Sequence, residues 1–236
     1  MAAPAELKEN AEVMNDPVLD LLSAIDETDQ SQVDELTGQL EYRVEENPAS
    51  LRSWLLLGNC YYLQGKIALA IETFQKAIAI DPEVPYAYYY IGVALYRSAR
   101  IEEAIQALTK VTALAPSMVM AYYWLGIAYF HTGQYPEARA AFEVLLQRNK
   151  ESHIAHYHAA LICLAEREFE AAQRHLETLT SLGCRDPQVY LHLGEAYYRL
   201  NKTSEAAEAY RKGLKLNPGN VPLQESLTEL VDVQEP

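Results

Sequence analysis

The chain has 236 residues, of which 50% are hydrophobic and 22% charged, a composition typical of a globular protein that can bury a sizeable core. Nineteen basic residues stand against 33 acidic ones, so the formal net charge is −14. This balance argues against non-specific nucleic-acid binding and against a basic membrane-surface helix, because both need clustered Lys and Arg. Three cysteines without C-x-x-C spacing favour reduced thiols over a disulfide framework.

The sequence shows neither the pattern of a signal peptide nor that of a membrane-spanning helix. The first ten residues lack the basic and then apolar layout of a signal peptide. The uncharged stretch 111–136 contains Pro116 and Gly133, so it predicts a helix between two turns and not a continuous apolar span of about 20 residues. We therefore expect a cytoplasmic protein with no membrane insertion.

One period accounts for most of the chain. Five alanines recur at a constant step of 34 residues: Ala70, Ala104, Ala138, Ala172 and Ala206. Around the first of them lie Trp54, Gly58, Tyr61 and Phe74, and similar residues return at the same offsets in the later copies. The arrangement resembles the tetratricopeptide repeat, whose pattern reads W-x2-L-G-x2-Y…A-x3-F…P.

The resemblance implies an all-α fold, an α-α superhelix (tetratricopeptide solenoid) of antiparallel helix pairs with capping helices. The domains follow from the register: an acidic N-terminal arm at 1–16, a degenerate capping repeat at 17–50, five repeats at 51–84, 85–118, 119–152, 153–186 and 187–220, and a C-terminal capping helix and tail at 221–236. The fourth repeat departs most from the pattern, with Ala160 in place of the glycine and Lys150 and Cys184 in place of prolines.

Small residues and turn residues support this register. We expect close approach of paired helices at four glycines: Gly58, Gly92, Gly126 and Gly194. Gly65, Gly133 and Asn201 fall where a first helix must end in a left-handed residue, and Pro136 suits the first turn of a second helix.

The first helix of each repeat carries a second stripe, at its positions 2, 5, 9 and 12, which in this family lines the concave face. In the second, third and fourth repeats these twelve positions contain no charge. With one residue of the fifth repeat they make up a predicted peptide-binding groove of Tyr86, Tyr89, Val93, Tyr96, Met120, Tyr123, Ile127, Phe130, Ile154, Tyr157, Leu161, Leu164 and Tyr198. A mildly basic groove rim is predicted at Arg52, Asn59, Arg97, His131 and Arg199.

An apolar stripe of this length is larger than monomers usually leave bare. It favours a non-enzymatic adaptor that binds an apolar or aromatic peptide segment of some acidic character. Three alternatives stay open: neighbouring helices or the chain's own N-terminus cover the stripe, another copy covers it in a self-assembling scaffold, or the protein is a chaperone for a secreted or assembling protein. The clamp that repeat proteins use for heat-shock chaperone tails keeps one match in five, Asn59, which argues against that role.

The sequence contains no clear motif for catalysis, cofactor binding or metal binding. His153, His156 and His158 form a cluster, but His156 occupies the Trp or Tyr position of the other repeats, so packing explains it. No phosphate loop, dinucleotide fingerprint, nucleophile elbow or H-E-x-x-H motif occurs. We expect no enzyme activity, no cofactor and no metal site.

The acidity of the chain is concentrated at its ends. Residues 1–50 hold thirteen acidic and two basic residues, and residues 221–236 hold four acidic residues and no basic one. The five repeats are therefore nearly neutral, with a net charge of +1. Such ends are typical of a solvated capping surface. The functional interpretation is that the N-terminal arm folds back over the groove or contacts a basic partner.

Overall fold

The computed structural model describes residues 30–232, with side chains as far as residue 230. These residues form twelve α-helices and no strand, which confirms the all-α prediction. The predicted arm at 1–16 and the first part of the predicted capping repeat, 17–29, lie outside the described residues. The helices are α1 Gln30–Glu46, α2 Leu51–Leu63, α3 Ile67–Ile80, α4 Pro85–Arg97, α5 Ile101–Leu114, α6 Val119–His131, α7 Tyr135–Arg148, α8 His153–Ala165, α9 Phe169–Ser181, α10 Pro187–Arg199, α11 Thr203–Leu216 and α12 Val221–Asp232.

The helix starts repeat with the sequence period. First helices begin at residues 51, 85, 119, 153 and 187, second helices at 67, 101, 135, 169 and 203, and α12 begins at 221, each 34 residues after its counterpart. The chain divides into two compact units between Ala128 and Tyr129. Of the described residues, the first unit holds α1–α5 and most of α6, and the second holds the end of α6 and α7–α12.

Paired helices approach closely where the sequence places glycine. A Cβ at Gly58 would lie 2.4 Å from the Phe74 ring, and one at Gly194 would lie 2.2 Å from the Tyr210 ring. Phe74 is fully buried, so its ring has no room to move aside. Gly92 faces the Leu108 side chain in the same way. These contacts confirm the predicted role of the three glycines.

The first helices end in a left-handed residue throughout the described repeats. Positive φ occurs at Gly65, Gly133 and Asn201, as predicted, and at Ala99 and Arg167, which the sequence analysis did not single out. All five are 34 residues apart along the register. The geometry of the turn therefore overrides the residue type at Ala99 and Arg167.

The fourth repeat ends its second helix differently from the others. The residues after α3, α5, α7 and α11 are extended, with φ between −134° and −140°. In α9 the helix stops at Ser181, and Gly183 takes a φ of +83° while the Cys184 N–H donates to the Leu179 carbonyl at 3.0 Å. A glycine cap thus replaces the prolyl stop that this repeat lacks.

Candidate functional site

The predicted groove stripe is buried unevenly. Three of its middle positions are buried, with Tyr89 at 8% exposure and Val93 and Ile127 at 7%, whereas Tyr123, Tyr157 and Leu161 are half-buried. The positions at the ends of the stripe, such as Tyr86 and Tyr96, are half-buried. The stripe therefore combines a packed floor with partly accessible flanks.

In the first unit the stripe residues flanking the buried floor, together with Tyr62, Tyr89 and Trp124, are here called the first aromatic patch: Tyr62, Tyr86, Tyr89, Tyr96, Met120, Tyr123 and Trp124. Trp124 is central to it, because its ring centroid lies 5.4 Å from that of Tyr96 and its Nε1 donates to the Tyr89 hydroxyl at 3.3 Å. Tyr123 meets Trp124 edge-on at 5.3 Å. These contacts join α4 to α6 through aromatic rings rather than aliphatic side chains.

In the second unit a similar network, the second aromatic patch, consists of Phe130, Ile154, Tyr157, His158, Leu161, Leu164, His192 and Tyr198. The Phe130 ring lies 6.4 Å from that of His158, and the Tyr157 ring lies 5.9 Å from that of His192. Tyr198 is the most accessible member, with 46% exposure.

Trp124, His158 and His192 were not among the predicted site residues. They share one register position, the sixth of the first helix, which Tyr90 occupies in the second repeat. This position stacks on the preceding second helix: Tyr90 lies on Phe74 at 5.4 Å, and His158 lies on Phe142 at 4.9 Å with nearly parallel rings. The 34-residue recurrence of a ring at this position was the signal that could have identified them.

The predicted rim residues differ in their exposure to solvent. Arg52, Arg97, His131 and Arg199 are exposed. Asn59 does not belong to an exposed rim: it is 4% exposed, and its side-chain amide donates to the Leu55 carbonyl of its own helix at 3.0 Å, which satisfies this buried polar group. That rim prediction is corrected.

The three helices that carry the first aromatic patch have charged residues of one sign only. Residues 51–63, 85–97 and 119–128, in α2, α4 and α6, include Arg52 and Arg97 and no Asp or Glu. The Arg97 guanidinium lies 4.6 Å from the centroid of the Tyr62 ring, a cation–π contact that holds the charge at the edge of the patch. In the second unit, by contrast, Arg199 lies 3.9 Å from the Glu195 carboxylate.

Burial shifts the pKa of three rings in the two patches further toward the neutral form. It raises the pKa of Tyr96, and burial together with the Asp186 carboxylate raises the pKa of Tyr157. Burial and the nearby His131 lower the pKa of His158 to about 4. These three side chains are therefore neutral at physiological pH.

The histidine cluster makes packing contacts. His156 Nε2 lies 2.8 Å from the Lys150 carbonyl oxygen, and its Nδ1 lies 2.9 Å from Nδ1 of His175. His158 stacks on Phe142, as described above. Within residues 30–230, no three His, Cys, Asp or Glu side chains are grouped so as to hold a metal ion.

A separate cleft of about 350 Å³ lies in the second unit, away from the predicted groove. Glu177, Glu205, Glu208 and Lys212 line it together with tyrosines of α10. Glu177 accepts from the Tyr197 hydroxyl at 2.7 Å, and Glu208 pairs with Lys212 at 2.8 Å, so two of its carboxylates are engaged within the fold.

Comparison with known families supports the predicted resemblance. The sequence profile described as "Cilia and flagella-associated protein 70 C-terminal domain" matches residues 7–235. The chain belongs to this tetratricopeptide-repeat family. The predicted resemblance is thus confirmed, and the family's fold is that of protein–protein interaction modules.

Individual relatives of this family member are distant. Among curated proteins, anaphase-promoting complex subunit 3 of Schizosaccharomyces pombe is 42% identical over 45 residues, 19% of this chain and 7% of that protein. The solved structure of YrrB, described as a TPR protein with an unusual peptide-binding site, has a TM-score of 0.72 at 16% identity, covering 80% of this chain and 97% of its own. PilF of Pseudomonas aeruginosa has a TM-score of 0.71 at 22% identity, covering 84% and 90%. At these identities the structures show the shared fold alone.

Two general properties follow for this family member. The tetratricopeptide-repeat fold is typically non-enzymatic. Among the described residues, none of the helices has the length and apolar character needed to cross a bilayer.

Proposed function

We propose that this protein is an adaptor that binds an apolar or aromatic, acidic segment of a partner protein on its first aromatic patch. The observation that carries the proposal is the joint placement of the Tyr96–Trp124–Tyr89 network and the exposed Arg97 on helices that contain no acidic residue before Tyr129. Aromatic rings contribute strongly to binding when a partner excludes water from them. The second aromatic patch offers a similar surface in its own unit.

The charge distribution supports an acidic partner. The whole chain carries a net charge of −14, yet residues 51–63, 85–97 and 119–128 carry two arginines and no carboxylate. Exposed charges mainly set the association rate and its salt dependence, whereas the rings supply most of the binding free energy. We therefore expect partner affinity to fall with ionic strength and to depend most strongly on the rings.

Affinity capture from the source cell's lysate tests the proposal. Tyr96→Glu/Tyr123→Glu places two carboxylates on the first aromatic patch, and Tyr42→Glu/Leu69→Glu places two on exposed residues of α1 and α3 in the same unit. Equal helical content and equal melting temperature of the two variants are required before comparison. A partner kept by wild type and by the control and lost by the patch variant supports the proposal.

The same preparation separates the alternatives. A partner retained by both variants contradicts the proposal and directs attention to other surfaces. A mass that rises with protein concentration in sedimentation experiments, and that the patch variant abolishes, favours the self-assembling scaffold. Co-purification with a protein that is insoluble when expressed alone favours the chaperone.

A further inference from the structure

We propose that the acidic N-terminal arm, residues 1–16, docks on the first aromatic patch of its own chain and competes there with the partner. The inference rests on the proposed function for the location of the binding surface. It adds an occupant of stated chemistry and a regulatory consequence.

The arm has the chemistry that the patch accepts. Residues 1–16 contain four carboxylates, one lysine and the apolar side chains of Leu7, Val13 and Met14. The patch offers rings beside the exposed Arg97, on helices that also carry the exposed Arg52 and contain no acidic residue before Tyr129. Apolar contact and charge complementarity therefore act together, whereas α1 and α12 themselves carry excess acidic charge and would repel the arm.

The arm also enters at the correct end of the patch. The start of α1 lies beside the end of α2, because Gln64 Nε2 donates to the Asp34 carboxylate at 2.7 Å. Two residues before Gln64, Tyr62 carries Arg97 over its ring, and Arg97 directly follows Tyr96. The chain that precedes α1 thus leaves the described structure close to the basic edge of the first aromatic patch.

The connecting segment matches the length of the patch. Thirteen residues, 17–29, separate the arm from α1; they would span about 20 Å as a helix, the form that the predicted capping repeat implies, and at most about 45 Å fully extended. The helix α4, which carries most of the patch, has 13 residues and is therefore about 20 Å long. In either form the segment is long enough for the arm to reach the patch.

Tethering favours the arm of the same chain over that of a second copy. A segment joined by a short linker experiences an effective concentration on the order of millimolar. At micromolar protein concentration, the arm of another molecule competes poorly with it. The partner must displace the arm, so removal of the arm should strengthen partner binding.

Photo-crosslinking in the full chain tests the inference without knowledge of the partner. Met14 is replaced by p-benzoylphenylalanine, the protein is irradiated at micromolar concentration, and crosslinked peptides are mapped by mass spectrometry. We expect crosslinks in the monomer band to residues 85–97 and 119–128. A crosslinked dimer band, crosslinks confined to other helices, or no crosslink would overturn the proposal.

Charge variants separate specific docking from random contact. Arg52→Glu/Arg97→Glu should lower the crosslink yield at least fivefold, and 0.5 M NaCl should also lower it. The matched control Arg148→Glu/Arg211→Glu changes two exposed arginines of the second unit and should leave the yield unchanged. Equal yields in both variants would contradict the proposed charge complementarity.

The outcome distinguishes the two proposals. If the patch variant loses the partner but Met14 does not crosslink to the patch, the proposed function stands and the arm inference fails. If Met14 crosslinks to the patch and the partner binds patch variants normally, the arm occupies the surface and the proposed partner site is wrong. Deletion of residues 1–16 should strengthen partner binding at least threefold; unchanged affinity would refute the competition.

Discussion

The Nε2–H of His156 donates to the carbonyl of Lys150, 2.8 Å away and six residues earlier in the chain. The same bond recurs along the register: Trp54 donates to the Pro48 carbonyl at 2.8 Å, and Tyr88 donates to the Pro82 carbonyl at 3.1 Å. Gln224 in α12 repeats it at 2.7 Å to Pro218. In these helices the fourth position thus anchors the turn that precedes it, and His156 does with an imidazole what Trp54, Tyr88 and Gln224 do with indole, phenol and amide.

Loss of this anchor should lower stability. His156→Phe leaves the Lys150 carbonyl and Nδ1 of His175 without their partner, so the free energy of unfolding should fall by about 1 to 2 kcal/mol. Tyr88→Phe removes one partly exposed bond and should cost about 0.5 to 1 kcal/mol. Urea titrations measure both. His153→Phe, at an exposed position of the same helix, is the control; an equal loss there would contradict the anchoring role.

The glycines at helix crossings should not tolerate a methyl group. Gly58→Ala would push a Cβ to within 2.4 Å of the fully buried Phe74 ring, so it should destabilise the protein by about 2 kcal/mol. Gly38→Ala, inside α1 with nothing within 4 Å, should instead stabilise by about 0.5 to 1 kcal/mol. Thermal melts of the two variants should therefore move in opposite directions. Similar shifts would show that helix propensity and not the crossing decides the effect.

Glycine should be preferred at the left-handed helix ends that lack it. Ala99→Gly and Arg167→Gly relieve positive φ values of 60° and 62°, so each should raise the free energy of unfolding by about 0.5 to 1 kcal/mol. The reverse change, Gly65→Ala at the same register position, should lower it by a similar amount. Destabilisation by Ala99→Gly would mean that chain entropy outweighs backbone strain at this turn.

Mild acid should weaken the second unit through its buried histidines. The pKa of His158 is lowered to about 4 by burial and by His131, and that of His175 is lowered to about 4 by burial, by His156 and by the neighbouring arginines. Since unfolded histidine titrates near 6.5, the unfolded state binds more protons between about pH 6.5 and 4. Stability contributed by the neutral rings is therefore complete above that range and is lost as the pH falls through it.

A substitution isolates this effect. His158→Phe keeps a ring stacked on Phe142 and removes the titrating group, so the loss of unfolding free energy between pH 7 and pH 4 should shrink by about 2 to 3 kcal/mol. His153→Gln, at an exposed site of the same helix, is the matched control for replacing a histidine. Identical profiles for wild type and His158→Phe would show that carboxylates alone govern the acid transition.

The repeat register could be predicted from the sequence because it depends on local requirements. The step of 34 between alanines, the small residues at crossings and the turn residues at Gly65, Gly133 and Asn201 each reflect a constraint within one repeat or its nearest neighbour. The position of His156 in the repeat, where other repeats have Trp or Tyr, also predicted that its role is in packing. These features determined the helix pairs and the family without reference to distant contacts.

Only the tertiary structure decided how much of the predicted groove lies at the surface. Tyr89 is buried, and its hydroxyl accepts from Trp124 of the next first helix. Asn59, a predicted rim residue, is also buried. The coverage of a side chain depends on the size and direction of rings in adjacent repeats, which the period alone does not specify. The repeat register can be predicted from the sequence because it depends on contacts within one repeat or its nearest neighbour. The exposure of a groove side chain depends on how the repeats pack against each other.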